Sequence, residues 1–247
     1  MPGRNILILE APEGLWHPFL KDYFSDIPAA VHSLHEPRQA SGAFDQFLPG
    51  MIFLDPAFLA KNFLQKLRVR KNTNPDFRAY LLGKNAAGSQ GFPWDAVFPA
   101  VPSLADFNKR FVETLPLPEV IRMLVVDDEE EIAAMVRDYF EERTVPAFEI
   151  EHAANGAKGL EAIARGRPDV IVLDIKMPVM DGREFYAELI HRKIEIPVVI
   201  FFDSISGEEL ATIRKHGDPP VVEKGTLAAS LPALMALAKK MIYFRTK

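Results

Sequence analysis

Four residues of opposite charge stand at the ends of apolar runs. Asp127 and Asp128 follow the run over 122–126, Asp174 follows that over 169–173, and Lys224 follows that over 219–223. If each run is a strand of one parallel sheet, these ends share one crevice, where such sheets hold their ligands. Three carboxylates packed together repel one another unless a cation offsets them. Oxygen ligands with no Cys or His beside them suit a hard cation, and Mg²⁺ is the natural choice. Lys224 would enter the same crevice as a point charge suited to a phosphoryl oxygen. Asp127-Asp128 alone would read as a solvated acidic loop, because acidic residues often open helices. The strand-end placement of all four shifts the balance to chemistry.

The elements that must position them are legible as periodicities. Strands are predicted at 122–126, 148–152, 169–173, 196–202 and 219–223. Between them, Ile132, Met135, Val136, Tyr139 and Phe140 fall on one helical face. Further helices are predicted over 156–165, 185–191 and 207–215. A last one begins near Ser230 as N-cap, with Pro232 in its first turn, and runs towards Tyr243. Strands alternating with helices of this length imply βαβ units and a parallel sheet covered on both faces.

The first half repeats the pattern. Ile6–Glu10 matches Met123–Asp127, Pro49–Asp55 matches Pro168–Asp174, and Val97–Pro102 sits where Pro220–Gly225 sits, at offsets of 117, 119 and 123. A period this long means a duplicated domain rather than a solenoid. The 247 residues fit two domains. The expected boundaries are 1–114, a Pro-stiffened linker over 115–121, and 122–247. Composition is that of a globular chain, 48% hydrophobic and 26% charged. The longest apolar runs fall far short of the ~20 residues of a membrane span. The first residues do not read as a signal peptide. The absence of Cys excludes disulfides, thiolate metal sites and a Cys nucleophile, and fits a cytoplasmic protein. Residues 1–118 carry 12 Lys and Arg against 11 Asp and Glu, and 119–247 carry 17 against 23. That acidic balance argues against general nucleic-acid binding.

Residues 122–247 resemble the receiver domain of two-component response regulators. The resemblance rests on Met123–Glu129, Ala153–Ala164, Ile196–Phe202, Val222–Thr226 and above all the Asp-x-x-Met-Pro-x-Met-Asp-Gly run of Asp174, Met177, Pro178, Met180, Asp181 and Gly182. It implies an α/β protein of two tandem flavodoxin-like domains, each a five-stranded parallel sheet with helices on both faces. Asp174 would be the phospho-acceptor. Asp127, Asp128, Asp174 and the backbone carbonyl of Lys176 would hold Mg²⁺, and Lys224 would contact the phosphoryl group. Two positions depart from the family. Its strand-four Thr or Ser falls on Phe202, and its strand-five aromatic falls on Val221; Ser204 could supply the hydroxyl if the loop shifts by two residues.

The first half resembles a degenerate receiver. Its acidic pair reads Glu10-Ala11, its Lys position Val101, and its strand-four hydroxyl position Gly83. Asp55 remains, expected as a turn or helix-starting carboxylate. The basic cluster Lys66, Arg68, Arg70 and Lys71 is expected to complement a helix C-terminus. The six His show no zinc-binding spacing. Asp174-Ile-Lys176 lacks the second Asp of dehalogenase-type phosphatases.

The expected function is a cytoplasmic, non-enzymatic response regulator. Asp174 would take a phosphoryl group from a histidine kinase or phosphotransfer protein and so alter contacts with a downstream protein. The first domain would serve docking or homodimerisation. Neither nucleic acid nor membrane is an expected partner. A phosphorylation-independent adaptor, a phosphate sink, and the front part of a longer regulator with an output domain stay open.

Overall fold

The computed structural model describes residues 5–83, 91–141, 145–204 and 206–244. The chain divides into two compact units between Pro116 and Leu117. The first contains β1 (Asn5–Leu9), α1 (Trp16–Tyr23), β2 (Ala30–Leu34), α2 (Ala40–Phe47), β3 (Met51–Leu54), α3 (Lys61–Thr73), β4 (Arg78–Leu82), β5 (Ala96–Phe98) and α4 (Leu104–Val112). The second contains β6 (Val120–Val126), α5 (Glu130–Glu141), β7 (Ala147–Ala153), α6 (Gly156–Arg165), β8 (Val170–Leu173), α7 (Gly182–His191), β9 (Val198–Phe202), α8 (Gly207–Arg214), β10 (Val221–Glu223) and α9 (Leu227–Phe244).

Each unit is built on five parallel strands, ordered β2-β1-β3-β4-β5 and β7-β6-β8-β9-β10. Both are the flavodoxin-like order, whose switch point lies between the first and third strands. Strands buried on both faces read as continuous apolar runs, as Met51–Leu54 and Val170–Leu173 do. In the second unit Met123 and Val125 face Val136, Phe140 and Leu234, whereas Leu124 and Val126 face Ala162, Phe185 and Leu189. The period of two thus feeds two cores. In the first unit one face is aromatic: Phe53 stacks on Tyr80 at 4.6 Å and Tyr23 meets Phe107 edge-on at 4.7 Å.

The repeat holds in three dimensions. Leu9 pairs with Leu54 as Val126 pairs with Leu173, which makes Glu10 the counterpart of Asp127. Pairing of Leu81 with Val97 and of Ile200 with Val221 corrects the last offset from 123 to 124. The counterpart of Lys224 is therefore Ala100, not Val101; both lack a charge. The short edge strands β5 and β10 carry too little pattern to fix a register from sequence.

Other boundaries shift. β6 starts at Val120, inside the stretch read as linker, because its first residues pair with Ala147 and Phe148. α7 starts at Gly182, since Asp181 caps it: its side chain accepts from the Arg183 and Glu184 N–H groups while Glu184 accepts from the Asp181 N–H. α9 starts at Leu227, so Ser230 lies within the helix and is not its cap. The Ser230 hydroxyl instead donates to the Lys224 carbonyl at 2.8 Å.

Candidate functional site

The C-terminal ends of β6, β8 and β10 bring Asp127, Asp174 and Lys224 together. Backbone hydrogen bonds set the first two: Asp127 N–H donates to Ala153 at 3.0 Å and Asp174 N–H to Val126 at 2.8 Å. Lys224 N–H donates to the Phe202 carbonyl at 2.6 Å, which ties the end of β10 to the end of β9. Lys224 Nζ then stands 2.9 Å from Asp127 Oδ2 and 2.9 Å from Asp174 Oδ1. All three side chains are buried. The remaining oxygens are also engaged: Asp127 Oδ1 accepts from Glu129 N–H at 3.0 Å, and Asp174 Oδ2 from Lys176 N–H at 2.6 Å.

One buried ammonium between two buried carboxylates leaves net negative charge. Burial pushes the Asp127 carboxyl above its usual range, and the Glu129 N–H and Lys224 offset only part of this. Burial acts to lower the Lys224 pKa, yet the hydrogen bonds it donates to Asp174 and Asp127 outweigh this and hold the ammonium charged, above the ordinary Lys value. Asp128 is exposed. Among the described residues no three His, Asp or Glu side chains are gathered at metal-binding spacing. The two buried carboxylates are drawn to Lys224 instead.

The loop after β8 is packed tightly beneath Asp174. A Cβ on Gly182 would lie 2.1 Å from the Asp174 carbonyl oxygen, so only glycine fits there. Gly182 N–H donates to the Ile175 carbonyl at 2.9 Å. Val179 takes a left-handed backbone (φ 72°) with its side chain exposed, a strained state for a β-branched residue.

From the loop after β9, Ser204 Oγ lies 3.2 Å from Lys176 Nζ. Phe202, partly buried, packs into the core on the α7 side. Residues missed from sequence also face Lys224 Nζ: Asp203 Oδ2 at 3.5 Å and Glu129 Oε1 at 3.9 Å. The strand-end rule that selected Asp174 could have found Asp203, one residue past β9. His152 Nε2 hydrogen-bonds the Asp127 carbonyl at 2.7 Å.

The matching edge of the first unit is built differently. The Glu10 carboxylate accepts from Trp16 N–H at 2.9 Å and His17 N–H at 2.7 Å, capping α1. Asp55 Oδ1 accepts from Ala57 N–H at 2.8 Å and caps a short turn over Pro56–Phe58, as a turn carboxylate should. Of the basic cluster, Lys66 pairs with Asp45 and Lys71 with Asp95, while Arg68 donates to the Gly91 carbonyl.

Comparison with known proteins bears on the second unit. The family model of the response regulator receiver domain matches residues 123–231. Over 120 residues the chain is 32% identical to the transcriptional regulatory protein PrrA of Mycobacterium tuberculosis, covering 48% of this chain and 50% of that protein. Over 102 residues it is 42% identical to a protein-glutamate methylesterase/protein-glutamine glutaminase of Treponema denticola, covering 40% of this chain and 24% of that protein. The solved receiver domain of the Francisella response regulator 1452 aligns at 29% identity with a TM-score of 0.44, covering 51% of this chain and 99% of that one. The chain thus spans between a quarter and a half of the curated relatives it matches.

Proposed function

We propose that this chain, whose residues 123–231 are a response regulator receiver domain, signals by taking a phosphoryl group on Asp174 from a histidine kinase or phosphotransfer protein. The observation that carries the reading is the buried Lys224 ammonium, 2.9 Å from Asp174 Oδ1. An Asp174 oxygen attacks phosphorus as the donor's P–N bond breaks, and the leaving imidazole nitrogen takes a proton. The negative charge then moves outward from the Asp174 carboxylate to the phosphoryl oxygens. Lys224, charged and already in the crevice, exchanges its Asp174 contact for that charge at short range.

Asp127, Asp128, Asp174 and the Lys176 carbonyl would supply oxygen donors of the kind Mg²⁺ takes once the two buried carboxylates turn from Lys224, and the unbalanced buried charge of Asp127 and Asp174 favours a hard cation. When bound, Mg²⁺ would neutralise phosphoryl charge. The chain acts here as a phospho-acceptor with self-catalysed transfer and hydrolysis, in the cytoplasm, and hands the signal on by protein contacts. In the first unit the counterpart of Lys224 is Ala100, which carries no charge, and the Glu10 carboxylate is committed to α1. This unit therefore serves as a non-phosphorylated docking or dimerisation module.

Intact mass after incubation with acetyl phosphate and Mg²⁺ tests the reading. One phosphoryl group per chain is expected, absent in Asp174→Asn. An unchanged mass in the parent chain would leave a phosphorylation-independent adaptor.

A further inference from the structure

Lys224 Nζ is surrounded by more negative charge than two hydrogen-bonded carboxylates. Asp203 approaches it to 3.5 Å from the end of β9. Asp203 is exposed, so no packing obliges its carboxylate to stay there. The contact is an ion pair, beside those that Lys224 makes with Asp127 and Asp174. The neighbouring Ser204 is occupied elsewhere, by the Lys176 ammonium at 3.2 Å. Phe202, before it, has no polar side-chain atom. The segment leaving β9 therefore presents the crevice with a carboxylate.

A phosphoryl group on Asp174 replaces one carboxylate charge with about 1.5–2 negative charges on the phosphoryl oxygens, a net gain of about 0.5–1 beside the same ammonium. An ionised carboxylate can give it no hydrogen bond and repels it. Asp203 thus contacts Lys224 better when Asp174 is bare than when it is loaded. A group favours one of two states by the difference in its contacts with them. We propose that Asp203 is a charge-based positioning residue that opposes phosphoryl occupancy of Asp174: it holds Lys224 in the unloaded state and is expelled when a phosphoryl group claims that ammonium. This rests on Asp174 being the phospho-acceptor. By reciprocity, whatever draws Asp203 away strengthens phosphoryl binding at Asp174. The moving part is then the start of the loop after β9, driven by repulsion.

The test is titration of the full chain with beryllium fluoride, a phosphoryl mimic, in saturating Mg²⁺, followed by fluorine NMR. Asp203→Asn removes the charge at nearly constant shape and should tighten binding about three- to tenfold, as expected for one charge contact in a partly wet crevice. Asp203→Glu keeps the charge and should match the parent chain. Glu129→Gln, whose Oε1 is farther away at 3.9 Å, should change binding less than Asp203→Asn. Equal or weaker binding by Asp203→Asn overturns the proposal, as does an equal gain from Asp203→Glu, which would point to shape. Binding by neither the parent chain nor Asp203→Asn sinks the acceptor reading and this proposal with it, whereas binding that Asp203→Asn leaves unimproved sinks this proposal alone.

Discussion

Glu10 and Asp127 end equivalent strands and use their carboxylates for opposite purposes. Each stands one residue past a strand end in the same register, after Leu9 paired with Leu54 and after Val126 paired with Leu173. Glu10, one methylene longer, turns both oxygens onto the first N–H groups of α1. Gly14 makes room for it, since a Cβ there would lie 1.9 Å from Glu10 Cδ. Asp127 gives one oxygen to a backbone N–H and the other to Lys224. A cap made of backbone donors is permanent as long as the helix stands. An ion pair with a lysine can be exchanged for a new anion.

Glu10→Ala should therefore weaken the first unit and leave the chemistry of the second alone. Two N–H groups, one of them buried, lose their acceptor, at about 1–3 kcal/mol. Both Trp residues, Trp16 and Trp94, lie in the first unit, so urea unfolding followed by Trp fluorescence reads that transition. Peptide mapping after acetyl phosphate treatment should still find the label on Asp174 and none on Asp55.

Lys224→Ala removes the ammonium that stands between two buried carboxylates. Loss of one partner from a buried ionic set costs about 3–5 kcal/mol. Circular dichroism of urea unfolding should show that loss, and excess Mg²⁺ should restore more stability to the variant than to the parent chain. A variant as stable as the parent would mean that the carboxylates are neutral or already balanced.

Much of this arrangement was legible beforehand. Ile6–Glu10 and Met123–Asp127 share a pattern of buried apolar residues closed by an acid, and a buried parallel strand leaves no other sequence freedom. The convergence of Asp127, Asp174 and Lys224 follows from strand order alone. What escaped depends on loops. The Glu10 cap needs the bend at Gly14, and the approach of Asp203 to Lys224 needs the path of the chain leaving β9. Neither has a periodicity. Ser204 drew attention by its hydroxyl, while the carboxylate beside it makes the contact with Lys224.

Gly182→Ala should damage the site through the backbone. The added Cβ would meet the Asp174 carbonyl at 2.1 Å and Ile175 Cα at 2.8 Å, and neither atom is the far end of a flexible side chain. Overpacking of this kind costs about 1–3 kcal/mol. Displacing Asp174, the proposed acceptor, should slow labelling by acetyl phosphate roughly 10–100-fold. Measured labelling at the parent rate would show that the loop can relax away from Asp174.

Asp181 gives the second unit an acid-side pH dependence. Burial opposes its ionisation, but the Arg183 guanidinium and the Glu184 and Arg183 N–H groups hold its carboxyl below the usual range. A folded-state pKa below the unfolded one gives stability that is present above about pH 4, the ordinary Asp value, and lost as pH falls through the folded pKa. Unfolding free energies between pH 6 and pH 3, in round terms, should therefore fall less steeply in Asp181→Asn, which can still cap α7 without a charge. Asp181→Ala should cost about 0.5–2 kcal/mol at neutral pH.

In receivers, as the resemblance implies, a strand-four hydroxyl closes on the phosphoryl group and a strand-five aromatic follows it inward. Here the Phe202 side chain offers no donor, and Val221 is a small, exposed side chain. Losing one hydrogen bond to a charged group removes about 1.5–3 kcal/mol of the bias between states. Moving an equilibrium from mostly off to mostly on takes about 5.5 kcal/mol. Contacts through Lys224 must then supply most of the shift, and its Nζ faces Asp203 at the start of the loop after β9. Hydrogen exchange with and without beryllium fluoride should change in the loops after β8 and β9, and little across Asp218–Lys240. Large protection changes across Asp218–Lys240 that Ser204→Ala abolishes would overturn this. They would show that the Ser204 hydroxyl leaves Lys176 and takes the place that Phe202 cannot fill.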